Sequence, residues 1–92
     1  SSNPVGINEI VPSFSSVYPN PAKDLITVAF DNMLAGGSVE VYNSLGKQVM
    51  KQSFTDSKEV KLNIEKLNTG TFYVYVKTTD GKIQSHRVVK VK

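Results

Sequence analysis

With 92 residues, no cysteine and a net charge of +3 from eleven basic and eight acidic side chains, the chain has room for one domain and none for a disulfide or a thiolate site. Its 39% hydrophobic and 21% charged content suits a globular domain, and no apolar run approaches the length of a membrane span. The two signs of charge are mixed, as in Lys58-Glu59 and Glu65-Lys66, whereas a nucleic-acid binder gathers its basic residues on one face.

Residues 1–12 hold two prolines, one glycine and no sustained period, and read as a linker with a short extended piece at Ile7–Val11. The opening Ser1-Ser2-Asn3-Pro4 lacks the charged-then-apolar form of a signal peptide and reads as the cut end of something larger. The folded domain is expected over residues 13–92. Turn signals recur every eight to twelve residues from there on, the spacing of an all-β sandwich or barrel.

Phe14 to Tyr18 is the first expected strand. Pro19 and Pro21 have no N–H to give a ladder, so the strand ends there, and Asn20 with Ala22-Lys23-Asp24 favours a turn. Leu25 to Phe30 is the second strand, followed by a loop bracketed by Asp31-Asn32 and Gly36-Gly37. Ser38 to Tyr42 alternates with Val39 and Val41 inward and Ser38 and Glu40 outward. Asn43-Ser44-Leu45-Gly46 is a turn with Gly46 free to take positive φ, and Lys47 to Phe54 returns to complete a hairpin. Thr55-Asp56-Ser57 is a further turn, and Val60, Leu62 and Ile64 mark a fifth strand. Glu65 to Gly70 is a corner with Leu67 inward. Thr71 to Thr78 has Phe72, Val74 and Val76 on one face and Tyr73, Tyr75 and Lys77 on the other. Asp80-Gly81 is the dipeptide of a two-residue type I′ turn, and Ile83 to Val91 is the return strand. Seven strands with three apolar faces predict two antiparallel sheets packed face to face.

Chemistry-bearing constellations are few. His86, flanked by Ser85 and Arg87, reads as a surface strand residue, because a triad needs it beside a serine and a carboxylate. The carboxylates show no calcium-loop spacing, Gly36-Gly37 precedes no helix, and nothing asks for a cofactor or metal. Tyr73 and Tyr75 share a face, either as a partly covered sheet surface or as a contact for carbohydrate or protein. The ending Arg87-Val88-Val89-Lys90-Val91-Lys92 mixes β-branched and basic residues. Either it is an edge strand that a partner extends, or its lysines guard that edge against aggregation. An open edge at Ile7–Val11 or Ile83–Val91 would also allow a homodimer.

Four blocks in this order carry a resemblance: Tyr18-Pro19-Asn20-Pro21-Ala22, Val39 to Lys47, Leu67 to Val74, and the basic-apolar ending Val89-Lys90-Val91-Lys92. Over residues 14–92 the chain resembles the C-terminal sorting domain of type IX secretion system cargo proteins. That resemblance implies a seven-stranded immunoglobulin-like antiparallel β-sandwich and a non-catalytic address at the end of an exported protein. It implies periplasmic transit in a Gram-negative cell and delivery to the surface or medium. The implied partners are the outer-membrane translocon, shuttle proteins and a sortase that cuts within residues 1–12. Carried over by position, Tyr18, Pro19, Asn20 and Pro21 match the first block, Gly46 and Lys47 the hairpin block, and Gly70 and Phe72 the glycine-aromatic block. Asp80 and Gly81 mark the last hairpin turn. Val88, Val89, Lys90, Val91 and Lys92 match the terminal segment expected to meet the translocon. The competing reading is an adhesion or carbohydrate-binding sandwich that uses Tyr42, Tyr73 and Tyr75.

Overall fold

The computed structural model describes residues 14–92. The expected linker, its cleavage region and the extended piece at Ile7–Val11 lie outside the described residues. Five strands follow in chain order: β1 (Ser15–Tyr18), β2 (Leu25–Asn43), β3 (Gln48–Asn63), β4 (Gly70–Thr78) and β5 (Ile83–Lys90). No helix among the described residues is long and apolar enough to cross a membrane.

Five strands rather than seven is a correction to the sequence reading, and its cause is local. The residues read as a loop over 31–37 and a turn over 55–57 lie inside β2 and β3. These two strands stay paired from Leu25↔Asn63 to Tyr42↔Gln48. The register shifts twice, by one residue between Val41 and Tyr42 and more strongly between Ala29 and Leu34, where the extra β2 residues bulge out opposite Lys58. Asp56, with φ of 44°, gives β3 its own irregularity close by. The turn-forming residues thus mark a bulge that bends a continuous ribbon, as at the corners of sheet packings.

The bend lets one ribbon serve two layers. The first half of β2 pairs with β1 and with the end of β3, while its second half pairs with the start of β3 and with β4. β5 then adds to β4. Ile26, Val28, Phe30, Val60 and Leu62 from one layer join Val39, Val41, Phe72, Val74, Val76 and Val88 from the other in a single buried cluster. Burying a side chain of this size contributes about 1.5–3 kcal/mol, so this cluster is the main support of the fold. Phe30 and Phe54 close one end of it, with ring centroids 4.9 Å apart.

The two tight hairpins share one device. Asn43 N–H donates to the Lys47 carbonyl and Gly46 N–H to the Asn43 carbonyl. Thr78 N–H likewise donates to Lys82 and Gly81 N–H to Thr78. Gly46 (φ 87°) and Gly81 (φ 94°) take the left-handed position, whereas Asp80 keeps a negative φ. Both loops are therefore three-residue hairpins with a glycine bulge, and the two-residue type I′ turn expected at Asp80-Gly81 is not formed. A side-chain oxygen ties each loop. Asn43 Oδ1 accepts from Leu45 and Lys47 N–H, and Thr78 Oγ1 accepts from Lys82 N–H while donating to Asp80 Oδ1. That hydroxyl holds the Asp80 carboxyl below its usual range, with Lys82 adding to the effect.

Candidate functional site: the C-terminal strand and the corner that holds it

β5 ends the sheet by strand order, and a free edge was expected there. The edge is instead covered from Arg87 to Val91. Ala22 N–H donates to the Val89 carbonyl at 2.9 Å, and Val91 N–H donates to the Ala22 carbonyl at 2.8 Å. Asn20 continues this contact with its side chain. Its Oδ1 accepts from Val89 N–H and its Nδ2 donates to the Arg87 carbonyl, each at 3.0 Å. A primary amide offers the same donor and acceptor as a peptide group. Asn20 therefore stands in for a strand residue where the chain itself cannot.

The prolines explain why the chain cannot. Ala22 turns both of its backbone groups toward β5, so Pro21, one residue earlier, faces the other way and its missing N–H costs the contact nothing. Asn20 lies between two prolines, both preceded by cis peptide bonds. The block Tyr18 to Ala22 thus ends β1 and then seats the last residues of β5.

Burial divides the terminal segment. Val88 is 1% exposed and Lys90 is 7% exposed, so both point into the structure. A lysine can bury its four-carbon stem in this way while its ammonium reaches toward water. Val89 is 36% exposed, Val91 is half-buried and Lys92 is exposed. Of the five residues expected to meet a partner, only Val89, Val91 and Lys92 present surface in the folded domain. Tyr18, beside the corner, is half exposed.

The other blocks arrange themselves around this end. Gly70 pairs with Lys90, and Asn43 pairs with Phe72, which brings the 43–47 turn alongside the Glu65–Gly70 corner. These elements enclose a crevice of about 280 Å³ lined by Leu45, Val49, Leu67, Gly70 and Phe72 among others. Phe72 is a buried core residue here. Asp80 and Gly81 lie at the opposite end of the β4–β5 hairpin and take no part in this cluster.

His86 also departs from the sequence reading. It is half-buried, and its Nε2 lies 2.8 Å from Ser15 Oγ. Ser15 Oγ donates to Gln84 Oε1 at 2.6 Å, and the same oxygen accepts from Ser15 N–H at 3.1 Å. With the hydroxyl proton committed to Gln84, Nε2 carries the proton toward Ser15, so the imidazole is not placed to take one from it. The cluster laces β1 to β5 one turn of the pleat away from the Asn20 contact. Burial pushes His86 below its usual pKa. No spacing rule links residues 15, 84 and 86, and only the closure of β1 toward β5 brings them together.

The family model described as "Secretion system C-terminal sorting domain" matches residues 16–90. Ulvan lyase NLR42 of Nonlabens ulvanivorans is 30% identical over 73 residues, which is 79% of this chain and 14% of that protein. The chain thus spans about a seventh of its curated relative. Among solved structures, a DUF3244 family protein of Bacteroides vulgatus with an immunoglobulin-like β-sandwich fold superposes with a TM-score of 0.72 at 11% identity, covering 84% of each chain. CopC of Methylosinus trichosporium OB3b superposes with a TM-score of 0.53 at 20% identity, covering 83% of this chain and 90% of that one. The first of these likenesses establishes an immunoglobulin-like all-β fold.

Proposed function

The chain belongs to the secretion system C-terminal sorting domain family, and we propose that it serves as a non-catalytic address whose readable part is the outer face of its last residues. The observation that carries this reading is the seating of Arg87–Val91 on Asn20 and Ala22. A signal at a chain end is usually frayed. Here four hydrogen bonds hold it in one geometry, so a partner binding it has less ordering entropy to overcome. In this proposal Val89, Val91 and Lys92 meet the type IX translocon, while Val88 and Lys90 support them from within.

The proposal extends to the route and the fate of the cargo. The domain, taken as residues 13–92, sits at the C-terminal end of an exported protein, crosses the periplasm with the help of shuttle proteins and is read at the outer membrane. A sortase then cuts within residues 1–12 and leaves the cargo at the cell surface or in the medium. The relative named as an ulvan lyase fits an arrangement in which one such address follows an unrelated cargo activity. A homodimer through strand edges would use β1 or β3, each of which pairs with β2 alone among the described residues.

Photocrosslinking in cells tests the reading face. A crosslinkable phenylalanine analogue at position 89 or 92 should capture an outer-membrane component of the secretion machinery. The same analogue at Ile83, which is exposed at the far end of β5, should not. Equal capture from all three positions would remove the claim that the terminal face is read.

A further inference from the structure

The outer face of the second layer carries a cluster of tyrosines and charged side chains. The register sets residues across it in rows: Gln48, Tyr42, Tyr73 and Arg87 in one, Lys51, Glu40, Tyr75 and Ser85 in the next. Lys77 follows in a third row, opposite Ser38 and Ile83. Tyr42 and Tyr75 meet edge to face with centroids 5.3 Å apart and planes at 85°. Glu40, expected to face solvent, is only 6% exposed between them. Its Oε1 accepts from Tyr42 Oη at 2.7 Å and lies 3.2 Å from Lys77 Nζ, and Lys51 Nζ stands 4.0 Å from Oε2. A buried carboxylate with these partners fixes the surrounding rings in place. Over them lies a cleft of about 440 Å³ lined by Tyr42, Asn43, Tyr73, Tyr75 and Lys77 among others.

We propose that this cleft binds a uronate-bearing saccharide chain. Three features select that class. Three tyrosines on one sheet face give large, rigid, amphipathic contact area at low entropy cost, suited to stacking on sugar rings. Lys51, Lys77 and Arg87 outnumber the single carboxylate, so the face keeps a positive excess for an anionic ligand. The cleft also lies over β2 and β4, whose neighbours pair with them on both sides. Their backbone groups are spent in ladders, so a peptide cannot add here as a strand and recognition falls to side chains. Val89 follows Arg87 on this same face, so the cleft adjoins the terminal segment, but binding to it is read without any secretion machinery.

The test is a titration of the purified 92-residue chain, followed by NMR, with oligogalacturonate, with its fully methyl-esterified neutral form, and with a polyglutamate peptide. Oligogalacturonate should shift the amides of Tyr42, Tyr73 and Tyr75, and the neutral form and the peptide should bind at least roughly tenfold more weakly. Tyr73→Ala should weaken binding roughly tenfold, and Lys77→Gln should weaken it and flatten its salt dependence. Lys61→Gln, which removes one positive charge far from the cleft, should leave it unchanged. Tyr73 is 38% exposed, so an unchanged melting temperature for Tyr73→Ala separates lost contact from lost fold. No binding of oligogalacturonate, equal binding of the neutral form or of polyglutamate, or full affinity in Tyr73→Ala would each overturn the proposal.

Discussion

Replacing Asn20 by alanine removes two hydrogen bonds and little else, so its cost can be worked from the structure. Both bonds are 3.0 Å long, both join neutral groups, and both are exposed. A bond of this kind contributes about 0.5–1.5 kcal/mol net. Water can re-pair Val89 N–H and the Arg87 carbonyl, so no buried orphan adds to the loss, and the sum is about 1–3 kcal/mol. For a domain of this size, at roughly 4–8 °C per kcal/mol, that lowers the melting temperature by about 4–24 °C. The more specific readout is amide exchange. Val89 N–H should lose protection beyond any change seen at Val74, in the central strand β4, because the seat of β5 opens locally before the core does. Asn20→Asp should do no better than alanine, since it keeps the acceptor for Val89 but sets a charged oxygen against the Arg87 carbonyl. Undiminished Val89 protection in Asn20→Ala, or wild-type stability in Asn20→Asp, would refute the claim that this amide substitutes for a strand residue.

Further outcomes follow from other positions. A Cβ on Gly37 would fall on the Lys77 carbonyl oxygen and 2.9 Å from the Phe54 ring, so Gly37→Ala should cost about 3 kcal/mol or more in urea unfolding. Gly46→Ala meets open space and only a positive φ, and should cost about 1–2 kcal/mol. Near-equal losses would contradict the close approach of β2 and β4. The pH dependence has two windows. His86 is depressed by burial, so its neutral form favours the fold above about pH 6.5, and stability falls as the pH drops below that value. Glu40 is held low by the Tyr42 hydroxyl, helped by Lys77 and opposed by burial. Its contribution is present above about pH 4.5 and is lost on further acidification. Thermal melts should show the first window disappear in His86→Gln while the second persists.

The parts of the fold that depend on period and turn chemistry were legible in the sequence. Phe72-Val74-Val76 and Val39-Val41 are buried as alternation requires, both tight turns sit where glycine allows them, and β1 stops at Tyr18 before Pro19. The errors arose where residues of one type answer two physical needs. Asp31-Asn32 and Gly36-Gly37 read as a loop, yet Gly37 is small because a neighbouring carbonyl passes over it, and the ribbon runs on through a bulge. Asp80-Gly81 supports a type I′ turn by composition, but the three-residue loop needs only Gly81 in the left-handed region. Contacts that join distant positions could not be read at all. Asn20 with Val89 and Ser15 with His86 exist because β1 and the proline corner fold back against β5. Two prolines enclosing one asparagine were the available hint that its side chain serves where the backbone cannot. Glu40 sits on the expected face, but its partners Lys77 and Lys51 come from neighbouring strands that the local pattern does not reveal.

The measurement that bears most directly on the central claim is export of a reporter. A signal peptide and a fluorescent protein joined to residues 1–92 are expressed in a bacterium with type IX machinery. The comparison is the same fusion carrying Val89→Ser, Val91→Ser and Lys92→Glu. Substitution is preferable to deletion of the last residues, because deletion also removes Val88, which is 1% exposed in the core. The account predicts reporter at the surface or in the medium for the unchanged domain, and periplasmic retention of a variant that still melts as a folded domain. Export of the variant at the unchanged level, or retention of both, would contradict it.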